Sequence, residues 1–151
     1  FRELRERRGL VYDIGTQIKR FDDTGAFVIH AGCDASKVTA TLQTIITELT
    51  RLRHEVVSAT ELKRAKDYYA GQLVMSLEDT MEQMLWMGEQ AVTVGRIARP
   101  DLLLTHINAV TPQEIRRVAR HLFVTPKLHL VVIGPLAPQD TARLSDICRI
   151  G

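Results

Sequence analysis

Hydrophobic positions change their period along this chain, and each change marks an element. Leu10, Tyr12, Ile14, Thr16 and Ile18 alternate with more polar neighbours, the period-two signature of a strand. Ala26–Cys33 (AFVIHAGC) is an apolar run of strand length, and Phe21–Gly25 (FDDTG) supplies turn chemistry between the two, so together they predict a hairpin. Residues 1–8 read as the last turns of a helix, with Gly9 suited to a left-handed cap. After the hairpin the period lengthens. Val38, Leu42, Ile45, Ile46, Leu49 and Leu52 recur at helical spacing, which predicts a long helix over residues 35–53 with Asp34 as its cap.

Ser58-Ala-Thr-Glu61 is a capping box, in which a hydroxyl and a carboxylate reciprocally satisfy end donors. The helix it opens runs to Val74 or Met75. A second helix, with Ser76 as cap and Asp79 in its first turn, runs from Leu77 to Val94 and stops at Gly95. Asp101–Ala109 is a short helix. Thr111-Pro-Gln-Glu114 is another capping box, with Pro where a missing N–H costs nothing, and its helix ends near Leu122. Lys127–Gly134 (KLHLVVIG) predicts a third strand, and Thr141–Cys148 a last short helix. Strands at the two ends with helices between them predict an α+β fold, a mixed or antiparallel sheet packed by helices. There is no internal repeat, low-complexity tract or linker, so residues 1–151 are expected to form a single domain.

Composition narrows the function classes. A chain of 151 residues with 45% apolar and 25% charged residues is ordinary for one soluble globular domain. A net charge of +2, with acidic residues interleaved among the basic ones, argues against nucleic acid. Arg116, Arg117 and Arg120 on one predicted helix are the only hint in that direction. No apolar run approaches the ~18 residues that cross a bilayer, and no targeting segment is visible, which leaves localisation unknown. Cys33 and Cys148 have no C-x-x-C spacing, so they are read as buried free thiols, their pairing undecided.

The histidines are His30, His54, His106, His121 and His129. Zinc ligands on a helix need His pairs at three- or four-residue spacing beside a carboxylate, and no pair here has it. Ser58 stands where His54-Glu55 would require its second His. His30 and His129 are expected as hydrogen-bonded histidines within strands, and the other three near helix ends in water. No catalytic zinc is expected in this chain. Nucleophile elbows and phosphate loops are also missing from the sequence. Glu78, Asp79, Glu82 and Glu89 read as a solvated helix face.

Arg5 and Tyr12 remain. Four residues of helix lead from Arg5 to Gly9 and three of strand from Gly9 to Tyr12, so a reversal at Gly9 could bring a guanidinium and a phenol to one spot beside the sheet. Such donors suit the holding of substrate carbonyls and the stabilisation of an oxyanion. Two structural alternatives stand beside this. Tyr12 could pack with Leu10, Ile14 and Ile18 on one strand face, and Arg5 could simply complement a helix C-terminus.

Arg5-Glu-Arg-Arg-Gly-Leu-Val-Tyr12 closely resembles the pattern Arg-Glu-Lys-x-Gly-Leu-x-Tyr of the pitrilysin and insulysin-type zinc metallopeptidases, which include mitochondrial processing peptidase. Further matching words follow in order: Thr24-Gly-Ala-Phe27, Thr60-Glu-Leu-Lys-Arg-Ala-Lys66, Ser76-Leu-Glu78, Val110-Thr-Pro112 and Leu130-Val-Val-Ile-Gly-Pro135. The resemblance implies the C-terminal, zinc-free half of such an enzyme, with a half-domain of the processing-peptidase type. It implies Arg5 and Tyr12 as substrate-holding residues, with zinc carried by an N-terminal half or a partner subunit. It also implies that the domain's opening strand and helix lie upstream of this segment. An uncovered sheet edge would then favour association, including homo-oligomers. The alternative within the same resemblance is an inactive homologous subunit acting as partner or scaffold.

Overall fold

The computed structural model describes residues 2–150, and its elements follow the local chemistry of the chain closely. Arg2–Arg7 forms a single π-helical turn. Gly9 ends it at φ 56°, a left-handed conformation in which a Cβ would be strained, and Leu10 N–H reaches back to Leu4 O at 2.9 Å. Strands β1 (Asp13–Arg20) and β2 (Gly25–Gly32) form a two-stranded antiparallel sheet. Phe21 N–H to Thr24 O at 2.9 Å closes its turn.

A 3₁₀ turn over Ala35–Lys37 leads into α1 (Val38–His54). Asp34 takes the extended backbone of a cap, but its side chain accepts no capping bond. Helix α2 (Ala59–Ser76) starts at Ser58, whose hydroxyl accepts from Glu61 N at 3.1 Å. Helix α3 is Thr80–Val94. Its cap is Asp79 rather than Ser76, because Asp79 Oδ1 takes both Met81 N and Glu82 N, at 2.8 and 3.1 Å. Ser76 instead closes the preceding helix, donating to Leu73 O. Gly95 ends α3 in the left-handed region. Helices α4 (Pro100–Ala109), α5 (Pro112–Leu122) and α6 (Pro138–Ile147) complete the set. The box opening α5 is made in both directions: Thr111 N–H donates to Glu114 Oε2 at 2.8 Å, and Glu114 N–H to Thr111 Oγ1 at 3.3 Å.

The α+β class stands, with helices dominating the small sheet. The third strand does not form. Residues 128–133 take no regular structure and Gly134 lies in a bend, with no ladder partner among the described residues. Alternation predicts a pleated face but not the neighbour needed to hydrogen-bond it. Leu128 and Val132 pack against the core, whereas Val131 and Ile133 are 82% and 96% exposed.

The chain divides into two compact units. The first takes in the N-terminal π-helical turn, the body of the hairpin, α1, the later part of α5, and α6. Its core is Leu42, Ile46 and Leu49 of α1 with Leu144 and Ile150, and Ile29, Phe123 and Leu128 pack around it. Phe27 meets Phe123 edge-on at 5.3 Å between ring centres. Arg120 Nε donates to Arg53 O, at 3.0 Å, near the end of α1. The second unit holds the hairpin tip, α2, α3, α4 and the first turn of α5. There Lys66 Nζ ties α2 to Asn108 O at 2.7 Å. No described helix is long and apolar enough to cross a membrane.

Candidate functional site: Arg5, Tyr12 and the outer face of the hairpin

Arg5 lies in the middle of the π-helical turn and is exposed. It has an interaction partner of its own. The turn is braced by Glu3, which accepts from Arg8 Nε at 2.9 Å and from Arg7 at 3.2 Å. The bond from Arg8, and then that from Arg7, hold the Glu3 carboxyl below its ordinary value of 4.5. On the opposite side Leu4 is buried, and Lys37 Nζ donates to Gly9 O at 3.0 Å. A π-helical turn is uncommon and tends to occur at functional sites.

Tyr12 is not a core residue. It precedes β1, in a bend, and is 64% exposed. The alternative in which Tyr12 packs with Leu10, Ile14 and Ile18 on one strand face needs Tyr12 within the strand, but it lies in a bend one residue before β1 begins. Its backbone still pairs, donating N–H to Gly32 O at 3.0 Å. Its ring lies so close over Gly32 that a Cβ there would come within 2.9 Å of Tyr12 Cε2. The neighbouring pair repeats the arrangement, since a Cβ on Gly15 would come within 2.6 Å of the His30 imidazole. His30 Nε2 in turn stands 3.7 Å from Asp13 Oδ2, with both side chains exposed.

His30 is therefore not a histidine enclosed within a strand. It lies on the outer face of the hairpin, over one glycine, as Tyr12 lies over another. The inner face carries Ile29 against the α1 core. No motif in the sequence points to Asp13, Gly15, His30 and Gly32 as candidate site residues. The available signal was a pair of glycines in otherwise β-favouring strands, which often marks a close approach.

The arrangement offers a phenol O–H, an imidazole and a carboxylate on one exposed hairpin face, with a guanidinium on the turn that leads into it. These groups can donate to and accept from a peptide backbone. Among the described residues no group of three or more His, Cys, Asp and Glu side chains is placed to hold a metal ion. His129, His54, His106 and His121 are all exposed. Cys33 and Cys148 are free and half-buried rather than buried, and desolvation raises the Cys148 thiol above its ordinary range. An open groove of about 780 Å³ between the start of α1 and α6 is lined by Gln43, Arg143, Asp146 and Arg149, and includes neither Arg5 nor Tyr12.

Known proteins resemble this chain at both levels. Residues 1–69 match a family described as the peptidase M16 inactive domain. An uncharacterised zinc protease of Streptomyces coelicolor is 35% identical over 97% of this chain, which spans 32% of that protein. One of Bacillus subtilis is 29% identical over 89% of the chain and 33% of its own length. The mitochondrial-processing peptidase subunit alpha of Pongo abelii is 32% identical over 89% of the chain and 25% of its own. The chain thus spans about a third or less of each of these relatives. A chain of the Candida albicans complex III dimer with Inz-5 bound has the same fold, with a TM-score of 0.71 at 20% identity, covering 80% of this chain and 29% of that one.

Proposed function

We propose that this chain, which matches the C-terminal, inactive domain of the peptidase M16 family, is the substrate-holding, zinc-free half of a zinc-dependent endopeptidase. The observation that carries the reading is Tyr12: a large aromatic side chain, 64% exposed, fixed over Gly32 by close approach and preceded by the exposed Arg5. In this reading zinc sits in another half or subunit and supplies the activated water. Arg5 and Tyr12 hold the peptide and donate to the carbonyl oxygen as it gains charge. Among the described residues the two-stranded sheet has open edges and the run at residues 128–134 has no ladder partner, which fits a domain completed by further elements and leaves an edge through which copies could associate.

The test is made in the complete, zinc-loaded enzyme with a peptide substrate. Arg5→Ala and Tyr12→Phe each lower kcat/KM by ~10²-fold, as loss of an oxyanion donor does, with zinc content unchanged. Gly32→Ala, which lifts the Tyr12 ring, gives a smaller loss in the same direction. Wild-type turnover in all three variants would overturn the reading. A non-catalytic partner subunit is the second reading, favoured by the uncovered apolar face of α3 described below; it predicts no hydrolysis by the complete protein with any zinc-bearing partner.

A further inference from the structure

Helix α3 is turned inside out. The residues it half-buries are Gln83, Trp86, Gln90 and Thr93, and three of these four are polar. Three of their polar groups are occupied locally: Gln83 donates to Leu77 O, Gln90 Oε1 accepts from Ala98 N, and Thr93 donates to Glu89 O, whereas Gln90 Nε2 is buried with no hydrogen-bond partner among the described residues. The opposite face carries Met81, Met84, Leu85 and Val92, at the i, i+3, i+4, i+11 positions of one stripe, and all four are more than half exposed. All four methionines of the chain lie between Met75 and Met87, and all are exposed. Exposed methionine is an adaptable contact surface, able to repack around different partners.

The charge along this segment has one sign. Between Tyr68 and Gly95 stand four carboxylates, Glu78, Asp79, Glu82 and Glu89, and no Lys or Arg. Asp79 is used as the helix cap and Glu82 complements the N-terminal dipole. Glu89, two turns further on, serves neither purpose. Glu82 and Glu89 together edge one side of the apolar stripe, seven residues apart.

We propose that the outward face of α3 docks a basic amphipathic helix of a partner protein. The stripe is the half of a helix–helix contact that packs i, i+3, i+4 side chains against a second apolar stripe. The acidic edge selects a partner whose own edge carries Lys or Arg, and sets its direction. A second copy of this chain is the poorer occupant, because an antiparallel α3 pair sets the Glu82 and Glu89 edges against each other and a parallel pair sets each against an uncharged edge, with no Lys or Arg in the segment to meet them in either case. The proposal does not depend on the roles of Arg5 and Tyr12.

The experiment titrates the full polypeptide by calorimetry with a ~18-residue amphipathic peptide of Leu, Lys and Arg, and with the same peptide carrying Glu at every basic position. Hydrogen exchange reports which amides become protected. The basic peptide is expected to bind at least ~10-fold more tightly than the acidic one and to protect α3. The double variant Glu82→Lys/Glu89→Lys reverses that order, and Leu85→Asp removes binding of both while leaving the helix content unchanged. Equal affinity for the two peptides overturns the proposal. So does binding that ignores the charge reversal, or an α3 already protected by self-association or by another part of the polypeptide with neither peptide binding.

Discussion

Helices α1 and α3 are of similar length and both carry an apolar stripe, but they direct it oppositely. In α1 the buried positions are Leu42, Ile46 and Leu49, with Thr41 and Thr44 beside them, and Leu144 and Ile150 complete the core. Thr44 meets the demands of burial by donating to Ala40 O at 2.8 Å. In α3 no residue is buried, and the apolar stripe faces out. The first helix is held by its own unit; the second is held by its caps and by polar contacts, and its apolar surface is available. The contrast implies that a core substitution and an outward apolar substitution of similar size have very different costs.

The sharpest way to break that comparison is Ile46→Ala against Leu85→Ala in the 151-residue chain. Ile46 is 4% exposed, and deleting it leaves a cavity in a packed core, for an expected loss of about 2–5 kcal/mol. Leu85 on the outer face of α3 is expected to change stability by no more than about 0.5 kcal/mol. Urea denaturation of both variants measures the difference. Equal losses would mean that the outer face of α3 is covered after all.

A smaller effect sharpens it. A helix with no buried side chain relies on its ends, and Asp79 Oδ1 satisfies two of the orphan donors of α3. Asp79→Ala is expected to cost ~1 kcal/mol, read as faster hydrogen exchange in the first turns of α3. Ser76→Ala leaves α3 unchanged, because that hydroxyl bonds back into α2.

What the sequence disclosed follows from how local each feature is. The Thr111–Glu114 box was legible because its donors and acceptors lie within four residues, and Gly9 because a positive φ is a property of one residue. Asp79 and Ser76 are both good caps by type, and only the geometry chose between them. The run at residues 128–134 has strand composition, yet pairing depends on a neighbour the period does not reveal. Glu78, Asp79, Glu82 and Glu89 mark a solvated face in the sequence, but nothing in it says that Met81, Met84, Leu85 and Val92 face outward as well. Arg5 and Tyr12 were singled out by their pattern, whereas Asp13 and His30 join the candidate face where two glycines leave room for the Tyr12 and His30 rings.

The smallest expected effect compares the two units in acid. In the first, Glu3 is held below 4.5 by its bonds from Arg8 and Arg7; in the second, Asp101 is held below 3.8 by the paired bonds from Arg99, at 2.6 and 3.1 Å. A carboxyl whose pKa is lower in the folded state adds stability above its unfolded value and loses it as pH falls through the folded one. Glu3→Gln should therefore flatten the fall in denaturation midpoint beginning below 4.5, and Asp101→Asn only below 3.8. Solvent screens both pairs, so each change is slight. Far-ultraviolet circular dichroism, followed through the acid limb for each variant, makes the separation visible. If Asp101→Asn alone shifted the whole transition, the second unit would be governing the stability of the first, and the contrast between α1 and α3 would lose its physical basis.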